Sequence, residues 1–417
     1  MASADAPEPC CLAWQAWGGE RGIAKTPMLY RMWSRIVQKE VRDWEAAVVA
    51  DWDCATVGSS AFKTALLRNY KTEIASALGE SCAANLWDLH KFFDTVVPSE
   101  LFSSALELGF PKHVLALGLD MHMAPRVIQL EGCCSEPIAV ARSILAGYGL
   151  SIPFTRAFLR TALQEVASAT SADQTVYVDD VAQCASGTLS QVVEALVQAA
   201  VVFHRSVRKL RPTVSAKSIV CGSSPKLVRL LTGELRDLGI TVKAAPYARD
   251  LGLSFSPGRR RHASIQLKRI SGAAVRFKNI GGLVKTNRRA RSLVRMGALP
   301  QALWGQTAQG LAPSRVSALR TLTAAATGII ASGRCGTTAI ALALGPSADP
   351  GISNVKDQVA TWVSLWGHQS GLHHRARSAW PIVHRRTYHV SGETFLGQGH
   401  WPDGCHHRLS CLCRLEG

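Results

Sequence analysis

The chain has 417 residues, 47% of them hydrophobic, which is enough to bury one large core or two to three ordinary ones. Its 47 Lys and Arg residues exceed its 30 Asp and Glu residues, and the resulting formal net charge of +17 favours a polyanionic partner, most often nucleic acid, although an anionic membrane surface would also suit it. The lack of a secretory signal, of a CxxC pair and of an uninterrupted apolar stretch argues against a secreted, disulfide-bonded or membrane-spanning protein and predicts free thiols.

Helices and one buried strand are predicted after an irregular start over residues 1–20. Apolar residues recur at helical spacing over 29–44, and a second helix is predicted over 60–78. An apolar run then ends at Asp88, which predicts a buried strand finished by a carboxylate. The next predicted elements are helices over 98–108 and 111–121, and an alternating strand with a turn over 126–132.

A glycine-rich loop is predicted over 146–150, before a helix that runs to about residue 167. Glycine at position 147 would let the backbone approach a bound ligand closely. Ser151 is placed to cap the start of the helix. An ordinary glycine-rich loop before a helix fits the same pattern, so the function of this loop depends on its neighbours.

Two adjacent carboxylates interrupt a run of β-forming residues at Tyr177-Val178-Asp179-Asp180, which predicts a hairpin with acids at its tip. Successive residues of a regular strand point to opposite faces, so a turn is needed to aim both acids at one ion. Adjacent carboxylates repel unless a cation neutralises them, and Asp88 supplies a third acid upstream. Three such carboxylates suit two-metal phosphoryl transfer with Mg²⁺. An acidic surface turn is the alternative explanation of the pair.

Beyond the hairpin, a helix is predicted over 187–208, and Lys217 precedes a short strand. The pair Leu251-Gly252 lies in a predicted strand turn. Basic residues are then dense over 258–295 and spread along predicted helices, a pattern that serves phosphates and carries no base identity. From about residue 336 the chain is rich in Gly, Ala and Ser and loses clear periodicity before a His- and Cys-rich tail.

Asp88-Leu89-His90-Lys91-Phe92-Phe93-Asp94, followed by Tyr177-Val178-Asp179-Asp180, resembles motifs A and C of reverse transcriptases, and most closely those of non-LTR (LINE-type) retrotransposons. The resemblance covers roughly residues 20 to 330. It implies an α+β fold, a right-hand polymerase with an antiparallel-sheet palm. The expected divisions are an N-terminal segment with fingers (1–82), a palm (83–256) that contains inserted fingers strands (about 125–146), a helical basic thumb (257–335), and a linker with a His/Cys-rich tail (336–417).

The resemblance also implies roles for individual residues in RNA-directed DNA synthesis from a dNTP onto a primer 3′-hydroxyl. It assigns two Mg²⁺ ions, with Mn²⁺ as a substitute, to Asp88, Asp179, Asp180 and the backbone carbonyl of Leu89. Lys217 would protonate the pyrophosphate leaving group. The nucleotide-binding positions would be Arg21, Phe93, which excludes a 2′-hydroxyl, Gly147 and Ser151.

The remaining implied contacts are to the nucleic acid, an RNA template paired with a DNA primer. Leu251 and Gly252 would form the primer grip. The residues expected on the template–primer backbone are Arg259, Arg260, Arg261, Lys268 and Arg269. Related elements often carry a Cys/His zinc knuckle, but the spacing of Cys405, Cys411 and Cys413 fits no standard zinc pattern, so we expect no zinc site. The resemblance implies a protein that acts inside the cell, in the nucleus, and it leaves the oligomeric state open.

Departures from the family pattern keep a second hypothesis open. Ala146 replaces the usual Gln, Gly22 replaces a Pro, and Pro153 lies one place late. These changes fit a degenerate, catalytically inactive element copy that acts at most as a nucleic-acid-binding protein. An RNA-templated RNA polymerase is disfavoured, because that class usually has Gly before the paired acids and because Phe93 is bulky.

Overall fold

The computed structural model describes residues 24–130, 133–258, 262–329, 333–368 and 370–390, which form an α+β protein rich in helices. The α-helices are α1 (Met28–Ile36), α2 (Gln38–Val48), α3 (Ala61–Ala77), α4 (Phe92–Thr95), α5 (Pro98–Glu107), α6 (Lys112–Met123), α7 (Ser151–Ala169), α8 (Leu189–Lys209), α9 (Pro225–Asp237), α10 (Ser264–Thr286), α11 (Leu299–Leu303), α12 (Gln306–Gln309), α13 (Pro313–Ala326), α14 (Gly336–Leu344), α15 (Pro350–His368) and α16 (His373–Val390). Shorter helical turns cover Arg288–Arg291, Pro346–Ala348 and Ser370–Leu372, with a π-helical turn at Val294–Ala298.

The strands are β1 (Ser81–Trp87), β2 (Gln129–Leu130), β3 (Cys133–Cys134), β4 (Asp173–Tyr177), β5 (Asp180–Gly187), β6 (Ile219–Gly222), β7 (Lys243–Ala244), β8 (Ala248–Asp250) and β9 (Leu253–Phe255). Five of them form one sheet in the order β4-β5-β1-β6-β7, and β2-β3 and β8-β9 form separate hairpins. Every pair in the large sheet is antiparallel except β6 with β7. The α+β prediction is therefore confirmed.

Strand β1 is the central strand of the sheet, and alternation along it separates two faces. Asn85 and Trp87 point towards α8, where the Asn85 amide donates to the Leu196 carbonyl (3.0 Å) and the Trp87 ring stacks on Phe203 at a centroid distance of 5.1 Å. Ala84, on the opposite face, packs in a small cluster that includes residues of the β8-β9 hairpin. The face that carries Asn85 and Trp87 is buried beneath helices. Asp88 comes after the last residue of β1, beyond this buried part of the strand.

Two larger apolar cores lie on either side of the β8-β9 hairpin along the chain. The first joins the large sheet to α2 and α5 through α9, and the second is formed within residues 270–348. Helices α15 and α16 return towards the first part of the chain, where Trp362 packs edge-on against Tyr70 of α3 at 5.3 Å between ring centroids. None of the described helices is both long and apolar enough to cross a membrane.

Two predicted elements differ from the structure. The helix predicted over 29–44 is divided into α1 and α2 by a turn at Val37. Residues 336–390, where composition suggested a linker, form three helices. Helix α14 packs in the second core through Ile340 and Leu344, whereas α15 and α16 pack on α3 through side chains such as Trp362 and Trp366. The predicted free thiols are confirmed for the seven cysteines of the described ranges.

Candidate active site

Asp88 follows the last residue of β1 and emerges beside the predicted carboxylate hairpin. The β1–β5 ladder pairs Trp87 with Val181, and continuing that register by one residue places Asp88 opposite Asp180. Opposite residues of an antiparallel pair have Cα atoms about 5 Å apart and share one face of the sheet. The extended register would make these two carboxylates cross-strand neighbours, and the charge of Asp88 does act on the Asp180 carboxyl.

Strands β4 and β5 form the hairpin predicted at the paired acids, with Tyr177 opposite Asp180 and a two-residue turn of Val178 and Asp179. We call this unit, Asp173 to Gly187, the carboxylate hairpin. Val178 has a φ of 61°, a backbone conformation that a β-branched residue rarely adopts. Such a residue stores about 1–3 kcal/mol of strain, and strain of this kind is concentrated at functional sites. The tight turn puts Asp179 and Asp180 at the hairpin tip although neither Gly nor Asn marks it.

The ionisation of Asp180 is disturbed by its surroundings. Burial of its carboxyl group and then the negative charge of Asp179 raise its pKa to about 6. The charges of Asp250 and Asp88 act in the same direction, whereas Arg68 opposes them. The Asp180 side chain keeps an exposed surface while protein atoms crowd its carboxyl, as expected at the rim of a concave site. A bound cation would offset this concentration of negative charge.

The turn that carries Lys217 is bonded to the backbone of Asp88. The Ser215 N–H donates to the Asp88 carbonyl oxygen (2.7 Å), and the Asp88 N–H donates to Ser218 Oγ (3.1 Å). Lys217 lies between these two serines and its side chain is exposed. The structure therefore brings the turn that carries Lys217 to the end of β1, next to the backbone of Asp88.

The same bonds determine where the Leu89 carbonyl points. Leu89 and Val214 form an antiparallel bridge, and the hydrogen bonds of that bridge are made by residues next to them: His90 N–H donates to Thr213 and Ser215 N–H donates to Asp88. In such a pair the N–H and C=O of Leu89 itself point away from Val214, towards the side of the carboxylate hairpin.

The chemistry of these donors fits Mg²⁺, a hard cation that takes oxygen ligands. Among the residues that the structure describes, however, no three His, Cys, Asp or Glu side chains converge closely enough to form a ready metal cage. Mg²⁺ is usually bound by one or two carboxylates together with substrate phosphates and waters, so a ready cage is not expected before substrate binds. Asp88, Asp179, Asp180 and the Leu89 carbonyl are the groups that would hold it.

Phe93 and the glycine-rich loop are joined by main-chain hydrogen bonds. The Ile144 N–H donates to the Phe93 carbonyl (2.8 Å), and the Phe93 ring is partly buried against the first core. Gly147, with a φ of 84°, is exposed, and open space surrounds the position that a Cβ would occupy. A small cleft between the start of α7 and the hairpin is lined by residues that include Ile152, Thr155 and Val178. The start of α7, which directly follows the loop, thus faces the carboxylate hairpin across this cleft.

Ser151 differs from its predicted capping role. It is the first residue of α7, Leu150 takes the N-cap position, and the Ser151 hydroxyl is buried. That hydroxyl accepts from the Tyr148 N–H (3.1 Å) and donates to the Leu145 carbonyl, so it stabilises the loop from within. The Tyr148 hydroxyl in turn donates to the Ala24 carbonyl (2.6 Å).

His122 anchors the other side of the same loop. Its Nδ1 accepts from the Leu145 N–H (2.8 Å), which requires the neutral ring with its proton on Nε2. Burial, and then the positive charge of Arg126, lower the pKa of His122 to about 4. The loop conformation is therefore coupled to the protonation state of this buried histidine.

The predicted turn at Leu251 and Gly252 joins β8 to β9, and we call residues 248–255 the Leu251 hairpin. Both turn residues have positive φ, 45° and 87°. A Cβ at Gly252 would lie 3.2 Å from the guanidinium of Arg269, which is half-buried between this turn and Trp304. Lys268, the preceding residue of α10, is exposed. Arg269 therefore packs on the turn, whereas Lys268 is free to meet a phosphate.

Several predicted contacts lie outside the described residues: Arg21, Arg259, Arg260, Arg261 and the Cys residues of the tail. Other residues of the site were given no role from the sequence, namely Arg68, His122, Tyr148, Ser215, Ser218 and Asp250. The sequence carried one signal for them, a single arginine, Arg68, within the apolar start of α3. Searches against models of known protein families and against curated proteins found no match to this chain.

Proposed function

We propose that this protein is an RNA-directed DNA polymerase that transfers nucleotides from dNTPs to a primer 3′-hydroxyl. The observation that carries the proposal is the meeting of Asp88, Asp179 and Asp180 at one end of the sheet, beside the turn that presents Lys217. Three carboxylates and a lysine at one point are the groups that phosphoryl transfer needs for charge neutralisation and protonation.

In this proposal the large sheet is the palm of a right-hand polymerase. Helices α1 to α3 and the β2–β3 hairpin correspond to fingers, and the basic helices from α10 onward correspond to a thumb. Exposed Lys268 and the other cations of that region would follow the template–primer backbone, where Lys and Arg neutralise phosphates without reading bases. RNA, a DNA primer and dNTP are the partners that this arrangement suits.

Each residue has a separate task in the proposed reaction. Asp88, Asp179, Asp180 and the Leu89 carbonyl would hold Mg²⁺, which when bound stabilises the charge on the attacking and leaving oxygens. The protonated Lys217 side chain would donate a proton to the departing pyrophosphate. Phe93 would occupy the space beside the sugar C2′, so that a 2′-hydroxyl would clash. Gly147 would let the loop backbone approach the nucleotide or template.

The second candidate function is a nucleic-acid-binding protein without catalytic activity. The specific observations in its favour are the departures from the family pattern, in which Ala146 replaces the usual Gln, Gly22 replaces a Pro and Pro153 lies one place late. The same basic helices would support binding alone, because the charge that attracts a duplex does not depend on the carboxylates. Activity and binding must therefore be measured separately.

Primer extension on poly(rA)–oligo(dT) with Mg²⁺ tests the proposal. We expect extension by the wild type and none by Asp179→Asn, with unchanged salt-dependent duplex binding. Asp173→Asn is the matched control, since Asp173 lies at the opposite end of the same hairpin and pairs with Lys71 at 2.6 Å. Binding without extension by the wild type would support the second candidate function and refute the first.

A further inference from the structure

Arg68 contacts both hairpins of the candidate site. Its side chain, on α3, is 1% exposed, and its Nη1 donates to Thr175 Oγ1 at 3.1 Å. Its Nη2 lies 2.9 Å from Asp250 Oδ1. Thr175 belongs to the carboxylate hairpin and Asp250 is the residue before the turn of the Leu251 hairpin. One guanidinium thus joins two units that no motif of the sequence connects.

The geometry of this contact is more informative about the role of Arg68 than its contribution to stability. Burying an ion pair often contributes little net stability compared with apolar residues of similar volume. A planar guanidinium, by contrast, presents donors in a fixed fork and therefore sets the relative position of the groups it contacts. Thr175 is two residues from Tyr177, which is paired with Asp180. Arg68 therefore contacts the strand that leads to the hairpin tip.

Contacts other than that with Arg68 also hold the Leu251 hairpin: Ala248 and Phe255 pack against Ala84 of β1, and the Gln309 amide donates to the Ser254 carbonyl (3.1 Å). Leu251 and Leu253 pack with Ala65 and Leu66 of α3, the helix that carries Arg68. Apolar packing of this kind tolerates small sliding, whereas the polar contact through Asp250 resists it. Asp250 is itself 6% exposed, so water does not replace the contact readily.

We propose that Arg68 is a positioning residue that sets the spacing between the carboxylate hairpin and the Leu251 hairpin. The inference rests on the proposed function, in which the first hairpin holds the metal ions and the second contacts the primer end. Transfer requires the primer 3′-oxygen and the α-phosphate to be aligned, and a misplacement of about 1 Å can cost about 100-fold in rate. Arg68 would act through both hairpins without touching substrate.

Single-nucleotide extension by the full chain tests the assignment. We expect Arg68→Met to lower kcat by about 100-fold while the KM for dNTP and the duplex Kd change by less than about twofold. Asp250→Asn should lower kcat in the same way but by less, and the double variant should be no worse than Arg68→Met, because Arg68→Met already removes the contact with Asp250. Arg68→Lys should recover part of the lost kcat, since lysine can pair with Asp250 but cannot also serve Thr175 in a planar fork.

Arg320→Met is the matched control for lost stability. Arg320 makes a bidentate ion pair with the buried Asp349 in the second core, with contacts of 2.8 Å and 3.1 Å, and contacts neither hairpin. At equal loss of stability we expect Arg320→Met to keep its kcat. If the two arginine variants lose kcat in proportion to their stability, Arg68 has only a structural role and the proposal is overturned.

Amide hydrogen exchange supplies a readout that needs no catalysis. In Arg68→Met, residues 173–187 and 248–255 should lose protection together, with little change elsewhere in the sheet. Loss in only one hairpin would overturn the proposed link. If the wild type does not extend primers, the proposed function fails and the catalytic role of Arg68 fails with it, while joint loss of protection would still establish the mechanical link.

Discussion

Lowering the pH should destabilise the protein through His122. The pKa of this histidine falls from an ordinary value of 6.5 to about 4 in the folded chain, because burial and the charge of Arg126 disfavour the protonated ring. Between these values the unfolded chain binds a proton that the folded chain does not. Stability from this group is therefore complete above pH 6.5 and is lost as the pH falls towards 4. Each unit of difference between the unfolded and folded pKa values corresponds to about 1.4 kcal/mol, so the free energy of unfolding should fall by about 3 kcal/mol.

The assay compares the free energy of unfolding of the wild type and His122→Asn, measured with denaturant from pH 7.5 to pH 4. Asparagine keeps an acceptor near the Nδ1 position, which can accept from the Leu145 N–H, but it does not titrate. We expect the wild type to lose about 3 kcal/mol more than the variant over this range. Parallel curves for the two proteins would refute the reasoning, because they would show that His122 contributes no difference in proton binding.

Three further predictions concern residues of the site. Lys217→Ala should lower the turnover of primer extension without changing stability, since the side chain is exposed; an unchanged turnover would exclude it as the proton donor. Val178→Gly should leave stability within about 1 kcal/mol of the wild type, because relief of the positive φ offsets the entropy of glycine, whereas Val176→Gly in the buried strand should cost several kcal/mol in the same denaturation assay. Phe93→Ala should raise incorporation of ribonucleotides relative to deoxyribonucleotides, and an unchanged ratio would argue against its steric role.

Local patterns were sufficient to predict the elements that carry the acids. An apolar run that ends in a carboxylate predicted the strand before Asp88, and the β-forming residues around Asp179 and Asp180 predicted the hairpin. Both signals lie within a few adjacent residues, so the sequence alone carries them. The pairing of β1 with β5 could not be predicted in the same way. It depends on contacts between segments that are far apart in the chain, although it decides that Trp87, the residue before Asp88, lies opposite Val181, the residue after Asp180.

Residues that act through tertiary contacts were missed for the same reason. Arg68 and Asp250 meet only after α3 and the Leu251 hairpin pack together, and His122 meets the Leu145 N–H only when the loop is folded. The helices of residues 336–390 were also missed, since their apolar residues are buried only by distant parts of the chain: the second core for α14, and α3 for α15 and α16. Composition alone predicted a linker for residues 336–390, whereas tertiary packing stabilises helices there.

The central claim is template-directed nucleotide transfer by the carboxylates, and single-nucleotide incorporation tests it most directly. The wild type would be given an RNA template whose first unpaired base is varied, a DNA primer, Mg²⁺ and one dNTP at a time. We predict addition of the complementary dNTP only, and no addition by Asp179→Asn. Addition without regard to the template base, equal addition by Asp179→Asn, or no addition by the wild type bound to the duplex would contradict the account.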